Sequence, residues 1–429
     1  MAAEVLAVAG MTVDLYEHMP SVGRKLLLAG RGGLNITHSE PAEVLLARYG
    51  RAPTQLLGSI RSFDASALRA WCRELGEETF VGSSGRIFPR SFRATPLLRA
   101  WLRRLDGLGV RVHTRHRWLG WADGPNGHRD PHRLRVLGPD GLVAIVPADV
   151  TVLALGGASW PRVGSDGGWV AVLRRAGIRV ADLRPANCGV RIAWTADFAQ
   201  RFAGEPLKNV AVAVAYAHEQ AVRGDAMITS HGMEGGPIYA LGAVIRRTHD
   251  AGAVVLHVDL QPDLSVEQVA SRIAKRRPKD SLATTLRRTV GLTPASIALM
   301  REATANQLPV STAELAAMVK STPLRVQGLM PIARAISTAG GVTFDEIDER
   351  FMLRAVPSAF VVGEMLDWEA PTGGYLLQAT FSTAVAAATG ALEYLHSTTL
   401  PSTIPATGPA TGPATGPATG PATGPASGR

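Results

Sequence analysis

The chain has 429 residues, 46% of them hydrophobic and 19% charged, enough to bury a large core spread over two or three domains. No window approaches the roughly eighteen consecutive apolar residues of a membrane span, and Glu4 without a leading Lys or Arg cluster argues against a signal peptide, so the expected compartment is the cytoplasm. The net charge of +9 comes mostly from Arg scattered along the chain, with no aromatic-studded basic segment, and a nucleic-acid partner is not expected.

Val5, Val8 and Ala9 stand at helical spacing and predict a helix at the start of the chain, which Gly10 stops before a buried strand at Thr12 to Tyr16. A dinucleotide-binding unit runs strand, glycine loop, helix, strand, acid. The chain therefore reads as starting inside the first helix, with Glu17 in the place of the carboxylate that accepts hydrogen bonds from ribose hydroxyls. A spacing of roughly 20 residues from loop to acid puts the missing Gly-x-Gly-x-x-Gly upstream of Met1, as expected for an N-terminally truncated sequence.

Just downstream, Gly30, Gly32, Gly33 and Asn35 are concentrated with the cations Arg24, Lys25 and Arg31. Glycines let backbone approach a pyrophosphate closely and fixed cations neutralise it, so this loop is a candidate phosphate-binding segment. Residues 41–105 look mostly helical, broken by the glycine-rich stretch Gly82 to Pro89. Residues 110–148 predict short antiparallel strands with turns at 123–127 and 138–141. The apolar strand Asp149 to Leu155 then runs into Gly156 and Gly157, as a central parallel strand does on reaching a ligand.

This gives a first nucleotide-binding segment over 1–189 and a barrel-like β subdomain over 190–262 and 322–345. A helical insert over 263–321 has starts at Ser265, Thr293 and Ser311. The nucleotide domain resumes over 346–400, and a Pro-Ala-Thr-Gly repeat over 401–429 has no side chains for a core and predicts a disordered tail. Cys72 and Cys188 are too far apart for a dithiol motif and read as small buried hydrophobes. His113, His116, His128 and His132 do not predict a metal site, because a spacing of three on a strand puts His113 and His116 on opposite faces.

Four separated motifs, GRKLLLAGRGGLNITHSEP, GRIFPRSFRAT, LALGGASWPRVGSDGG and VVGEMLDWEAPTGGYLLQA, stand in an order that resembles the BaiN-type (YhiN-like) bacterial flavoproteins. The resemblance covers nearly everything except the tail. It implies an α/β fold of the two-dinucleotide-binding-domain kind: a discontinuous Rossmann-like FAD-binding domain interrupted by a β-barrel and a small helical insert. By resemblance, Glu17 binds ribose, while Arg24, Lys25, Gly30, Arg31, Gly32, Gly33 and Asn35 line pyrophosphate and flavin. Gly156 and Gly157 approach the adenosine side. Gly363, Glu364 and Asp367, with Gly373, Gly374 and Tyr375 at a helix start, hold the ribityl chain and the pyrimidine edge of the flavin.

Leu34 stands where many such proteins carry a cysteine, so no thiol chemistry is expected there. Without the first glycine loop, the chain as written is expected to bind FAD poorly and to be unstable. The implied activity is an FAD-dependent oxidoreductase acting on a small organic substrate, with NAD(P)H as a candidate donor, because the flavin carries the hydride chemistry and the protein supplies orientation and protons. Candidate proton donors are His231, in the glycine-rich segment Thr229 to Pro237, and Trp368 and Glu369. Two alternatives stay open, a tRNA-associated flavoprotein and a non-catalytic truncated relic.

Overall fold

The computed structural model describes residues 1–399 other than 51, 125–128 and 218–219. The repeat tail, His128 and most of the expected 123–127 turn therefore lie outside the described residues. Helix Ala2–Val8 leads to β1 (Asp14–Glu17), and helix Arg24–Ala29 precedes β2 (Thr37–His38). Helices Ala42–Ala47, Thr54–Ser62 and Ala65–Glu74 come before a hairpin of β3 (Thr79–Val81) and β4 (Arg86–Pro89), so the glycine-rich break in the helical region holds two strands. Helix Ala94–Gly107 returns the chain to β5 (Arg111–Thr114).

β5 lies parallel to β1, in register from Asp14 opposite Arg111 to Glu17 opposite Thr114, and is not part of the antiparallel meander expected there. That meander is β6 (Arg117–Asp123), β7 (Arg129–Leu137) and β8 (Val143–Pro147). β1 is half-exposed rather than buried, because β5 is its one hydrogen-bonded neighbour among the described residues. β9 (Thr151–Leu153) runs on to the expected Gly156–Gly157 pair, followed by helix Trp169–Arg175 and β10 (Val180–Ala186).

Next come β11 (Val190–Arg191), β12 (Pro206–Val214), β13 (Val222–Thr229), β14 (Gly232–Gly235) and β15 (Val254–Asp259). After helices Val266–Ala274, Pro294–Ala303 and Thr312–Lys320 the chain forms β16 (Thr322–Val326) and β17 (Gly328–Leu329). Strands β11 to β17 make one seven-stranded sheet in the order β16-β15-β12-β13-β14-β11-β17, antiparallel at every pairing. Capping orders the helices locally: Ser265 and Gln268 form a reciprocal capping box, and Thr293 and Ser311 each accept a backbone N–H of the first turn. Val269, Ile273, Leu299, Met300, Leu315 and Val319 from these helices share one core with Leu207, Val212, Leu256 and Leu324 of the sheet.

β18 (Ser337–Val342) pairs antiparallel with β10, and β19 (Ala359–Val361) pairs parallel with β9. Helix Tyr375–Thr399 then buries Ala379, Ala387, Ala388 and Ala391. Their small side chains let it pack closely into a second core of Phe351, Phe360, Val361 and Leu366. The fold is thus mixed α/β with short parallel pairs in one half and a continuous antiparallel sheet in the other.

His113 and His116 do not point apart. Their rings lie 5.8 Å from each other, and both pack on Tyr16, at 4.7 and 5.7 Å. The strand ends at Thr114, and Arg115 takes a left-handed φ of 61°, which cancels the two-residue alternation that the spacing argument assumed. Among the described residues no group of His, Cys, Asp and Glu could hold a metal ion.

Candidate functional site

The signature segment begins at Gly23, whose φ of 71° turns the chain into helix Arg24–Ala29. From that helix the Lys25 ammonium reaches across the molecule and donates to Ser159 Oγ (2.8 Å), Ser165 Oγ (3.2 Å) and Glu364 Oε2 (2.6 Å). A lysine has three N–H donors, and all three are taken. Glu364 in turn accepts the Gly157 N–H (3.2 Å) and, through its other oxygen, the Thr338 N–H (2.9 Å). The Thr338 hydroxyl accepts the Ala158 N–H at 2.9 Å. One carboxylate therefore ties together four segments that are remote in sequence.

Close approach explains the glycines here. A Cβ at Gly157 would lie 2.3 Å from Thr338 Oγ1, so only glycine lets the turn after β9 reach β18. At Gly374, with φ of 93°, a Cβ would meet the backbone of Thr37 at 2.6 Å. That contact sets the start of helix Tyr375–Thr399 directly on β2. Thr37 Oγ1 donates to Gln378 Oε1 (2.6 Å), and Gln378 Nε2 donates to the Phe63 carbonyl (2.7 Å).

Tyr375 opens the helix. Its hydroxyl donates to Glu40 Oε2 at 2.8 Å, its ring stacks on His38 at 5.4 Å, and its carbonyl accepts the Tyr49 hydroxyl at 2.7 Å. Glu40 also accepts from Arg48, which holds the Glu40 carboxyl below its ordinary range. Burial, then the hydrogen bond to Glu40, pushes the Tyr375 phenol upward, so it stays protonated and able to donate.

Trp368 is buried and its indole N–H donates to the Gly363 carbonyl at 2.8 Å, which holds the turn carrying Glu364. Glu369 pairs with Arg246, a buried guanidinium that also donates to the Pro185 carbonyl at 3.0 Å and so joins the two halves of the fold. Asp367 is half-buried, and desolvation followed by the charge of Glu369 raises its carboxyl above the ordinary value. Asn187, at a left-handed φ of 51°, donates to Ser337 Oγ and the Ala370 carbonyl, both at 2.8 Å.

Glu17 ends β1, where its carboxylate accepts the Met19 N–H at 2.8 Å and lies 3.4 Å from His18 Nδ1. His231 lies in the turn between β13 and β14, exposed, with its carbonyl accepting the Ile192 N–H at 3.0 Å. The structure thus brings Lys25, Gly157 and Glu364 into one cluster, and places Gly374 and Tyr375 against β2. Ser159, Ser165, Thr338, Glu40 and Arg48 were not anticipated; for Thr338 a signal existed in the run Ser337-Thr-Ala-Gly-Gly-Val342, whose glycines have φ of 85° and 140°.

Two buried polar atoms in the signature segment, Arg24 Nε and Asn35 Oδ1, have no hydrogen-bond partner among the described residues. A buried donor and a buried acceptor left unpaired cost about 1–3 kcal/mol each. A polar ligand seated on this segment relieves both, so these residues fit an anionic, hydroxyl-rich cofactor such as FAD.

The family model described as "HI0933-like protein Rossmann domain" matches residues 1–390. A 3-dehydro-bile acid delta(4,6)-reductase of Clostridium scindens is 24% identical over 392 residues, covering 89% of this chain and 93% of that protein. Among solved structures, the 3-ketosteroid delta1-dehydrogenase of Sterolibacterium denitrificans superposes with a TM-score of 0.51 at 12% identity, covering 91% of this chain and 97% of that one. The 3-ketosteroid-delta4-(5alpha)-dehydrogenase of Rhodococcus jostii gives 0.47 at 15%, covering 91% and 94%. No helix among the described residues is long and apolar enough to cross a membrane. The chain belongs to the HI0933-like family of Rossmann-fold flavoprotein oxidoreductases.

Proposed function

We propose that this protein binds FAD on the signature segment and exchanges a hydride with a double bond conjugated to a carbonyl in an apolar organic substrate, with NAD(P)H as the donor. The observation that carries the cofactor assignment is the pair of unpartnered buried atoms, Arg24 Nε and Asn35 Oδ1, in the signature segment that also supplies Lys25. The bile acid reductase relative supports the substrate class. When bound, the flavin supplies the hydride chemistry.

The protein's own residues bind, orient and manage protons. Arg24 and Asn35 offer their free atoms to the cofactor's phosphate and polar ring edge, while Lys25 holds Glu364 in place rather than reaching for a phosphate. Glu17 takes ribose hydroxyls at the end of β1, as the acid in this position of a dinucleotide fold does. The backbone of Gly30, Gly32 and Gly33 forms the pyrophosphate side, with Gly156 and Gly157 toward the adenosine. Gly363, Glu364, Asp367, Gly373 and Gly374 surround the ribityl and pyrimidine end. The start of helix Tyr375–Thr399 favours negative charge there through its unpaired N–H groups.

The protonated Tyr375 phenol, the raised Asp367 carboxyl and the exposed His231 are the proton-donor candidates. Trp368 and Glu369 hold neighbouring structure through Gly363 and Arg246. Titrating the purified protein with FAD tests the reading. Binding with absorbance bands at roughly 370 and 450 nm, bleached by NADH or NADPH and restored by an enone, is expected. Absence of any flavin binding sinks it.

A further inference from the structure

The outward face of the small β2-β4-β3 sheet carries an aromatic surface that is left open among the described residues. β4 alternates: Ile87 and Pro89 are buried, so Arg86, Phe88 and Arg90 lie on the other side. Residues opposite each other in an antiparallel pair share a face, and His38 pairs with Arg86 while Phe80 pairs with Phe88. Phe92 completes the group from the following turn. Its backbone is held at a left-handed φ of 58°, a strained position for a phenylalanine.

The three phenylalanine rings stand 4.9 to 6.3 Å apart and roughly parallel, yet Phe80 and Phe92 remain 38% and 45% exposed. This face is continuous with the site. A Cβ on Gly33 would lie 2.5 Å from the Phe92 ring, so the signature loop passes directly beneath it. At the other end His38 stacks on Tyr375. Arg86 and Arg90 flank the rings, and neither pairs with a carboxylate among the described residues.

We infer that Phe80, Phe88 and Phe92 form the substrate platform, on which a flat fused-ring apolar skeleton stacks while the guanidinium at one end, Arg86 or Arg90, holds a carboxylate carried by that skeleton. Flat aromatic rings and a flat alicyclic system match in shape, and a guanidinium recognises a carboxylate by two parallel hydrogen bonds. The assignment rests on the flavoenzyme reading for what happens to the ligand, and on the face itself for what binds.

The test is calorimetric titration of the full chain, with and without FAD, using 3-oxo-chol-4-enoic acid, its methyl ester and fumarate. Calorimetry reads binding whether or not a flavin is present, so failure of the cofactor assignment and failure of the platform separate cleanly. The acid is expected to bind about 10-fold tighter than the ester, with fumarate not measurable. Phe92→Ala and Phe80→Ser are expected to weaken acid and ester alike by about 10-fold without altering FAD binding. The pair R86Q/R90Q is expected to bring acid and ester within about 2-fold of each other. Equal binding of acid and ester by the unaltered protein, or no loss in Phe92→Ala, overturns the proposal. Retention of the protein by anionic phosphatidylserine vesicles, abolished by these same changes and with no acid binding, overturns it in favour of a membrane-contacting face.

Discussion

The Lys25–Glu364 pair is the most exacting test of how the site is held. Its separation is 2.6 Å, with side chains 30% and 17% exposed, and Glu364 also accepts two backbone N–H groups. Breaking a fully buried pair costs about 3–5 kcal/mol, and the partial exposure of Lys25 lowers the expectation to about 2–3. Lys25→Met leaves the carboxylate with its two backbone donors but no countercharge. Glu364→Gln is worse placed: whichever way the amide turns, its NH2 faces either the Thr338 N–H or the Lys25 and Gly157 donors, so about 2–4 kcal/mol is expected. The double variant removes both charges together and should lose about 1–2 kcal/mol less than the sum of the singles. Urea unfolding followed by tryptophan fluorescence measures all four corners of this cycle. A coupling below about 0.5 kcal/mol would show that the cluster is a set of independent surface contacts, and the bracing argument would be wrong.

Gly374→Ala combines a left-handed φ with a 2.6 Å approach to Thr37 backbone, and should destabilise by about 2–4 kcal/mol in the same unfolding assay. Trp368→Phe keeps the ring but frees the Gly363 carbonyl; an FAD titration should show weaker affinity, with stability reduced by about 1–2 kcal/mol. Burial pushes the Cys72 thiol up to about 12 and the Cys188 thiol up to about 11, so iodoacetamide at pH 8 should label neither until urea unfolds the protein. The hydrogen bond from Arg111, with His113, holds Asp14 down to about 2 from an ordinary value of 3.8. A carboxyl lowered in the folded state stabilises above its unfolded value and loses that contribution as pH falls through the folded one. Acid unfolding should therefore lose this contribution between pH 3.8 and about 2, and Asp14→Asn should flatten that interval.

Which parts of this were legible in the sequence follows from how far each signal reaches. Gly156–Gly157 after an apolar strand, and Gly373–Gly374 before an alanine-rich helix, are local signals, and both mark close backbone approaches. Ser159 and Ser165 were invisible because their partner lies across the fold: Lys25 is 134 and 140 residues from the two serines. A polar residue whose partner is that remote reads as an ordinary surface residue. Periodicity misled at His113 and His116 because a single left-handed residue, Arg115, ends the strand between them. It also hid the β3–β4 hairpin, where strands of three and four residues fall inside a region of helical composition.

The same limit explains why the aromatic platform was not legible even though most of it lies in one motif. Phe88 and Phe92 both lie in the signature run Gly85 to Thr95, but Phe80 precedes it, and no spacing rule joins the three. They meet because β3 pairs with β4 in the one register that sets Phe80 opposite Phe88, and because Phe92 accepts a strained backbone to lean on the ring of Phe88. A protein that needed only a stable hairpin would place polar residues on an uncovered face and a glycine at the left-handed turn, since both choices lower the free energy. Leaving two phenylalanines in water and one of them strained has the opposite effect. Both features lie on the face that runs from Gly33 to Tyr375, and a ligand that covers that face relieves the exposure.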